Sequence, residues 1–207
     1  MEQSPHREGA KLLGTLGSVL PAVEVLDLYE PAAGPDGVQQ LAEGLGAGAL
    51  PAVTELDIFH THVGDAGASA IATALGKGAL PRLKSLRLYG CAIGDAGLVA
   101  LAPALRRRPA LECLHFIGSP FGDEGLTALV APPPAGAPPG TTGGLTKLKE
   151  LDLSNTQVTD AGCATLAAAL DSGALPALER LCMHNNPASA AAKAAVYAAR
   201  ANLQGGA

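Results

Sequence analysis

His115, Asp152 and Cys182 are the residues whose types could together do chemistry: an imidazole, a carboxylate and a thiol at matching places in successive copies of one short pattern. A cysteine nucleophile needs the histidine between itself and the carboxylate, so that the imidazole takes the thiol proton while the carboxylate orients the ring. Here the carboxylate stands in the middle, which is the wrong order for a triad. With His184 the same residues could ligate a metal ion, but an open surface supplies no second shell, and no metal site is expected. His60 and His62 read as solvated loop residues, because a two-residue spacing alone is a weak metal signal. Gly76-Lys77 lacks both the upstream glycine and the following Ser or Thr of a phosphate-binding loop, and HExxH and GxSxG are absent. No catalytic residue and no cofactor are expected.

What positions these residues is a recurring spacing of leucines. The clearest copy is Leu80, Leu83, Leu86 and Leu88, followed by Cys91, Ile93, Asp95, Gly97, Leu101 and Leu105. Its second apolar position returns at Val23, Val53, Leu83, Leu111, Leu148 and Leu178, in steps of 30, 30, 28, 37 and 30 residues. A period of this length marks a solenoid, whose units cannot bury a hydrophobic face alone. Within a unit, Glu55-Leu56-Asp57-Ile58-Phe59 alternates as a half-buried strand does, and then Ile71 and Leu75 take the four-residue spacing of a helical face. The expected fold is therefore α/β: a right-handed solenoid of about six strand-helix repeats. Helices are wider than the roughly 4.8 Å strand spacing, so the stack curves into a horseshoe with its parallel sheet on the concave face and its helices on the convex face.

The long step coincides with PPPAGAPPGTTGG at 132–144, which is read as a Pro/Gly-rich loop inserted into the repeat domain of 20–207. Ahead of it, 1–19 is read as an N-terminal helical cap carrying Leu12, Leu13 and Leu16.

The copies resemble the ribonuclease-inhibitor-like subclass of leucine-rich repeats, a type similar to the repeats of NOD-like receptors and also found in activators of the Ran GTPase. The likeness rests on LxxLxLxx followed by Cys91, Thr61, Thr156 or Asn186, and on Asp65-Ala66-Gly67, Asp95-Ala96-Gly97 and Asp160-Ala161-Gly162. Pro31 and Ser119 depart from it, and those turns should be less regular. The aspartates are read as caps on the first turn of their helices, and Arg106-Arg107-Arg108 as a charge complement at a helix C-terminus. The resemblance implies a noncatalytic protein-protein interaction scaffold, with a role in sensing or regulation. The alternative it carries is a GTPase-activating protein of the Ran type.

The expected partner surface is the concave face. One column of outward strand positions holds Tyr29, Phe59, Tyr89, Ile117, Ser154 and His184, which gathers three of the chain's six aromatics. The neighbouring column holds Asp27, Asp57, Arg87, His115, Asp152 and Cys182, with Asp57 and Arg87 able to pair.

A net charge of −5 argues against nucleic acid and acidic membranes as partners. Four scattered cysteines without CxxC spacing, and no N-x-S/T sequon, indicate a reducing compartment, read as the cytoplasm. Neither end supplies a recognisable polar capping strand. The strands near 25–29 and 180–184 would then leave edge groups unpaired, which raises homodimerisation through the solenoid ends or a piece of a longer repeat protein.

Overall fold

The structure is a computed structural model that describes residues 22–29, 35–46, 48, 50–131, 144–200 and 202–205. The expected cap over 1–19, Pro31, and 132–143 of the expected insertion lie outside the described residues.

Among the described residues, strands and helices alternate along the chain: β1 Val25–Tyr29, α1 Pro35–Gly46, β2 Glu55–Phe59, α2 Gly64–Gly76, β3 Ser85–Tyr89, α3 Asp95–Arg106, β4 Cys113–His115, α4 Asp123–Val130, β5 Glu150–Asp152, α5 Asp160–Asp171, β6 Arg180–Cys182, α6 Ala190–Ala198 and β7 Gln204–Gly205. The strands form one parallel sheet in sequence order. This is the α/β horseshoe that the leucine spacing predicts. Register holds across every step, the long one included: Leu26, Leu56, Leu86, Leu114, Leu151 and Leu181 are successive partners. From Leu56 onward these leucines are at most 1% exposed, and each contributes roughly 1.5–3 kcal/mol by burial.

The convex layer closes the same core. Gly67, Ala68, Ile71, Ala74 and Leu75 make the inward stripe of α2, and Leu98, Leu101, Ala102 and Leu105 that of α3. Gly48, Gly78 and Gly173, with φ of 91°, 94° and 84°, end the preceding helices in the left-handed region that glycine tolerates. Leu50, Leu80 and Leu175 adopt φ of 55°, 47° and 54°, although each precedes a proline. A residue before proline ordinarily takes an extended backbone. The strain, about 1 kcal/mol per residue, is outweighed by burying each leucine to 4% exposure or less.

The aspartates act differently from the sequence expectation. Asp65 and Asp95 lie in the first turn of α2 and α3, and neither helix has a side-chain cap of its own. Each reaches the next repeat instead. Asp65 Oδ1 accepts from the amides of Gly94 and Gly97 at 2.7 and 3.0 Å, and Asp95 Oδ1 from those of Gly122 and Gly125 at 2.9 and 2.7 Å. Asp123 binds Thr159, and Asp160 binds Ser189, in the same way. Cross-repeat geometry wins because the carboxylate is too far into its own helix to cap it, but stands beside the exposed amides of the next one.

The arginines also work between repeats. Arg108 donates to the carbonyls of Leu80 and Leu75, and Arg106 to those of Ala128 and Ala131. The turns after the strands are held by side chains that satisfy backbone carbonyls: Cys91 donates to Ile58, Thr156 to Leu153, and Asn186 to Leu153. At the divergent fourth turn, Ser119 is buried and its hydroxyl has no partner.

The C-terminal edge is covered, contrary to the expectation from sequence. β7 pairs with Arg180 and Leu181 of β6, Gln204 donates to the Glu179 carbonyl at 2.8 Å, and the Tyr197 hydroxyl donates to the Leu181 carbonyl at 3.1 Å. The sequence there lacks a strand-like run of apolar residues, so a two-residue strand left no periodic signal. Among the described residues no helix is long and apolar enough to cross a membrane.

Candidate protein-binding face

Every strand turns alternate side chains away from the leucine core, and the parallel register sets these into columns. Tyr29, Phe59 and Tyr89 are register partners, and their rings stack with centroids 4.6 and 4.7 Å apart and planes 6° from parallel. The ring spacing is that of the strands themselves, so the sheet sets the stack. Tyr29 is 61% exposed.

The column bends beyond Tyr89. β4, β5 and β6 are three residues long, so Ile117, Ser154 and His184 lie past the strand ends. Ile117 is half-buried, Ser154 is buried and accepts from the His184 amide, and His184 is exposed. In their place His115 meets Tyr89 edge-on, 6.0 Å between centroids, with the Tyr89 hydroxyl 3.0 Å from His115 Nδ1.

The second column stands as expected, with Asp27, Asp57, Arg87, His115, Asp152 and Cys182 in register. Arg87 Nη1 donates to Asp57 Oδ2 at 3.0 Å and to Glu55 Oε2 at 3.3 Å. Burial acts to lower the Arg87 pKa, but the hydrogen bond to Asp57 and the charge of that carboxylate oppose it and keep the guanidinium charged. Asp27 is exposed, and Asp152 is half-buried with its Oδ1 accepting from the Ser154 amide at 2.8 Å. The register keeps Asp152 between His115 and Cys182, the order that a cysteine triad does not use.

A third column, absent from the sequence reading, completes the face: Val25, Glu55, Ser85, Cys113, Glu150 and Arg180. Strand alternation could have found it, since each member stands two residues before one of the second column. It brings Cys113 and Glu150 against His115. Burial pushes the Cys113 thiol up and the His115 imidazole down, so both groups are neutral near pH 7. The thiol is thus not activated as a nucleophile.

Three stretches, 50–72, 80–102 and 144–167, match the family described as Leucine Rich repeat. The register, the horseshoe and these matches make the chain a leucine-rich repeat protein. Among solved structures it is similar to one named Leiomodin-1 Actin-Binding Site 2 (ABS2), at TM-score 0.56 and 17% identity, over 85% of this chain and 90% of that one. It is also similar to the TLR13 chain of a TLR13-ssRNA13 complex, at TM-score 0.48 and 15% identity, over 98% of this chain but only 26% of that one. No curated protein sequence matches the chain.

Proposed function

We propose that this protein is a noncatalytic scaffold that binds a protein partner on its concave face, in the ribonuclease-inhibitor-like manner and in a sensing or regulatory setting. The observation that carries the reading is the stacked row of Tyr29, Phe59 and Tyr89 on that face. Stacked rings form a rigid, flat apolar strip that loses little entropy on binding, the kind of anchor that dominates protein interfaces. Beside it Asp27, Asp57, Arg87, His115 and Asp152 supply charged and polar groups for orientation, with Ile117 and His184 past the ends of β4 and β6. The neutral thiol and imidazole speak for binding over chemistry. The similar leiomodin structure is named as an actin-binding site, which fits a protein ligand without identifying this one. Four thiols, none of them in a disulfide, suit a reducing compartment such as the cytoplasm.

The test is affinity capture from the source cells, comparing wild type with Phe59→Ala, Tyr89→Ala and the convex-face control Gln39→Ala. A partner held by wild type and the control should be lost with either aromatic variant, by about tenfold or more in affinity. Retention by all four proteins refutes the concave site. Acceleration of GTP hydrolysis by a Ran-type GTPase would overturn the noncatalytic reading in favour of the activator.

A further inference from the structure

We propose that Cys113, His115 and Glu150 form a binding site for one divalent cation of the zinc class on the concave face. The three side chains come from the adjacent strands β4 and β5, with Cys113 paired to Glu150 in register. Their ligand atoms all lie within 4.8 Å of one another, and among the described residues this is the one such group of histidine, cysteine and carboxylate.

Two edges of the triangle of ligand atoms have the length that a coordination polyhedron needs. Cys113 Sγ lies 3.4 Å from His115 Nε2, and Nε2 lies 3.5 Å from Glu150 Oε1. Tetrahedral zinc, with bonds of roughly 2.3 Å to sulfur and 2.0–2.2 Å to nitrogen and oxygen, places such pairs about 3.3–3.6 Å apart. His115 Nε2 faces both a thiol and a carboxylate and, as a neutral ring, cannot serve both well. A cation at the centre satisfies all three atoms at once.

Charge and support agree with this assignment. When the Cys113 thiol gives its proton to solvent, thiolate, neutral imidazole and carboxylate carry two negative charges against the two positive charges of the ion. The Tyr89 hydroxyl, 3.0 Å from His115 Nδ1, accepts the proton that a ring ligating through Nε2 keeps on its other nitrogen. Arg180 Nη1 fixes Glu150 Oε1 at 3.2 Å. Ser85, buried opposite Cys113, meets no partner at full hydrogen-bond geometry yet lies close enough to favour the thiolate. The nearby cation Arg87 is engaged by Asp57 and Glu55. Three protein ligands leave a fourth position open toward the concave solvent, where water completes the tetrahedron. The metal site does not rest on the identity of any partner.

Cobalt titration of the full chain, prepared metal-free and reduced, tests the site directly. Wild type should bind one equivalent of Co²⁺ with a thiolate-to-cobalt charge-transfer band and visible bands of tetrahedral intensity, both bleached by Zn²⁺. Zn²⁺ should also raise its melting temperature. Cys113→Ser should lose the charge-transfer band, while Cys182→Ser keeps it. Glu150→Gln, on a half-buried side chain, should lower zinc affinity by more than tenfold without changing the melting temperature of the metal-free protein, and Tyr89→Phe should weaken it by about tenfold. Absence of the band in wild type, its survival in Cys113→Ser, or unchanged zinc affinity in Glu150→Gln overturns the proposal.

Discussion

Asp65 and Gly97 interlock across a repeat boundary: Asp65 Oδ1 accepts the Gly97 amide at 3.0 Å, and a Cβ on Gly97 would lie 2.5 Å from that oxygen and 2.9 Å from the Asp65 Cα. The same pairing recurs between Asp95 and Gly125, and Gly162 is likewise shut against Asp123. The Asp-x-Gly triplet is therefore two half-joints. Its aspartate serves the following unit, and its glycine makes room for the aspartate of the preceding one.

Gly97→Ala should destabilise the protein by about 1–3 kcal/mol in urea unfolding, because the overlap includes backbone that cannot move aside. Asp65→Ala should cost about 1 kcal/mol by leaving the amides of Gly94 and Gly97, at the start of α3, without an acceptor. The double variant should cost less than the sum of the two, since the clash and the lost bonds share one carboxylate. Full additivity would show that the two residues are not coupled.

Arg87→Ala should cost about 2–3 kcal/mol, because Asp57 is 8% exposed and its Oδ1 already lacks a partner. Adding Asp57→Asn should recover part of that loss. Chemical denaturation reports both, and a neutral Arg87→Ala would mean that the pair is held by solvent.

Pro103→Ala should stabilise the protein by about 1–2 kcal/mol. Pro103 sits inside α3 with its ring exposed, so it removes a helical hydrogen bond without contributing to the core. A rise in melting temperature is the expected reading, and a fall would reveal a packing role for the ring.

Cysteine labelling should follow burial and thiolate content. Burial pushes Cys91 up to about 11, so at pH 8 only about a thousandth of it is thiolate in the native protein. Cys113 and Cys163 are also buried with raised pKa values, whereas Cys182 is half-buried. Timed alkylation followed by mass spectrometry should find Cys182 modified first and Cys91 last. Early modification of Cys91 would imply that the second and third repeats open on that timescale.

Leucine spacing alone made the solenoid legible, because a core built from one residue type at one period has a single way to bury itself. It also placed Tyr29, Phe59 and Tyr89 side by side and ordered His115, Asp152 and Cys182, since parallel register across steps of 30 and 37 residues is arithmetic. The third column was equally available from strand alternation, yet Glu55, Cys113 and Glu150 carry no motif that draws the eye. β7 was not readable, because two residues have no period.

The chain's own sequence thus determined the architecture, the composition of the concave face and the exclusion of a cysteine triad. The tertiary structure decided which neighbours touch. It turned Asp65 and Asp95 away from their own helices, filled the edge at β6, and ended β4 at His115, so that the imidazole turns toward Tyr89, Cys113 and Glu150. Periodicity specifies the column in which a residue stands. Side-chain reach and strand length, which depend on contacts between repeats, specify what it meets there.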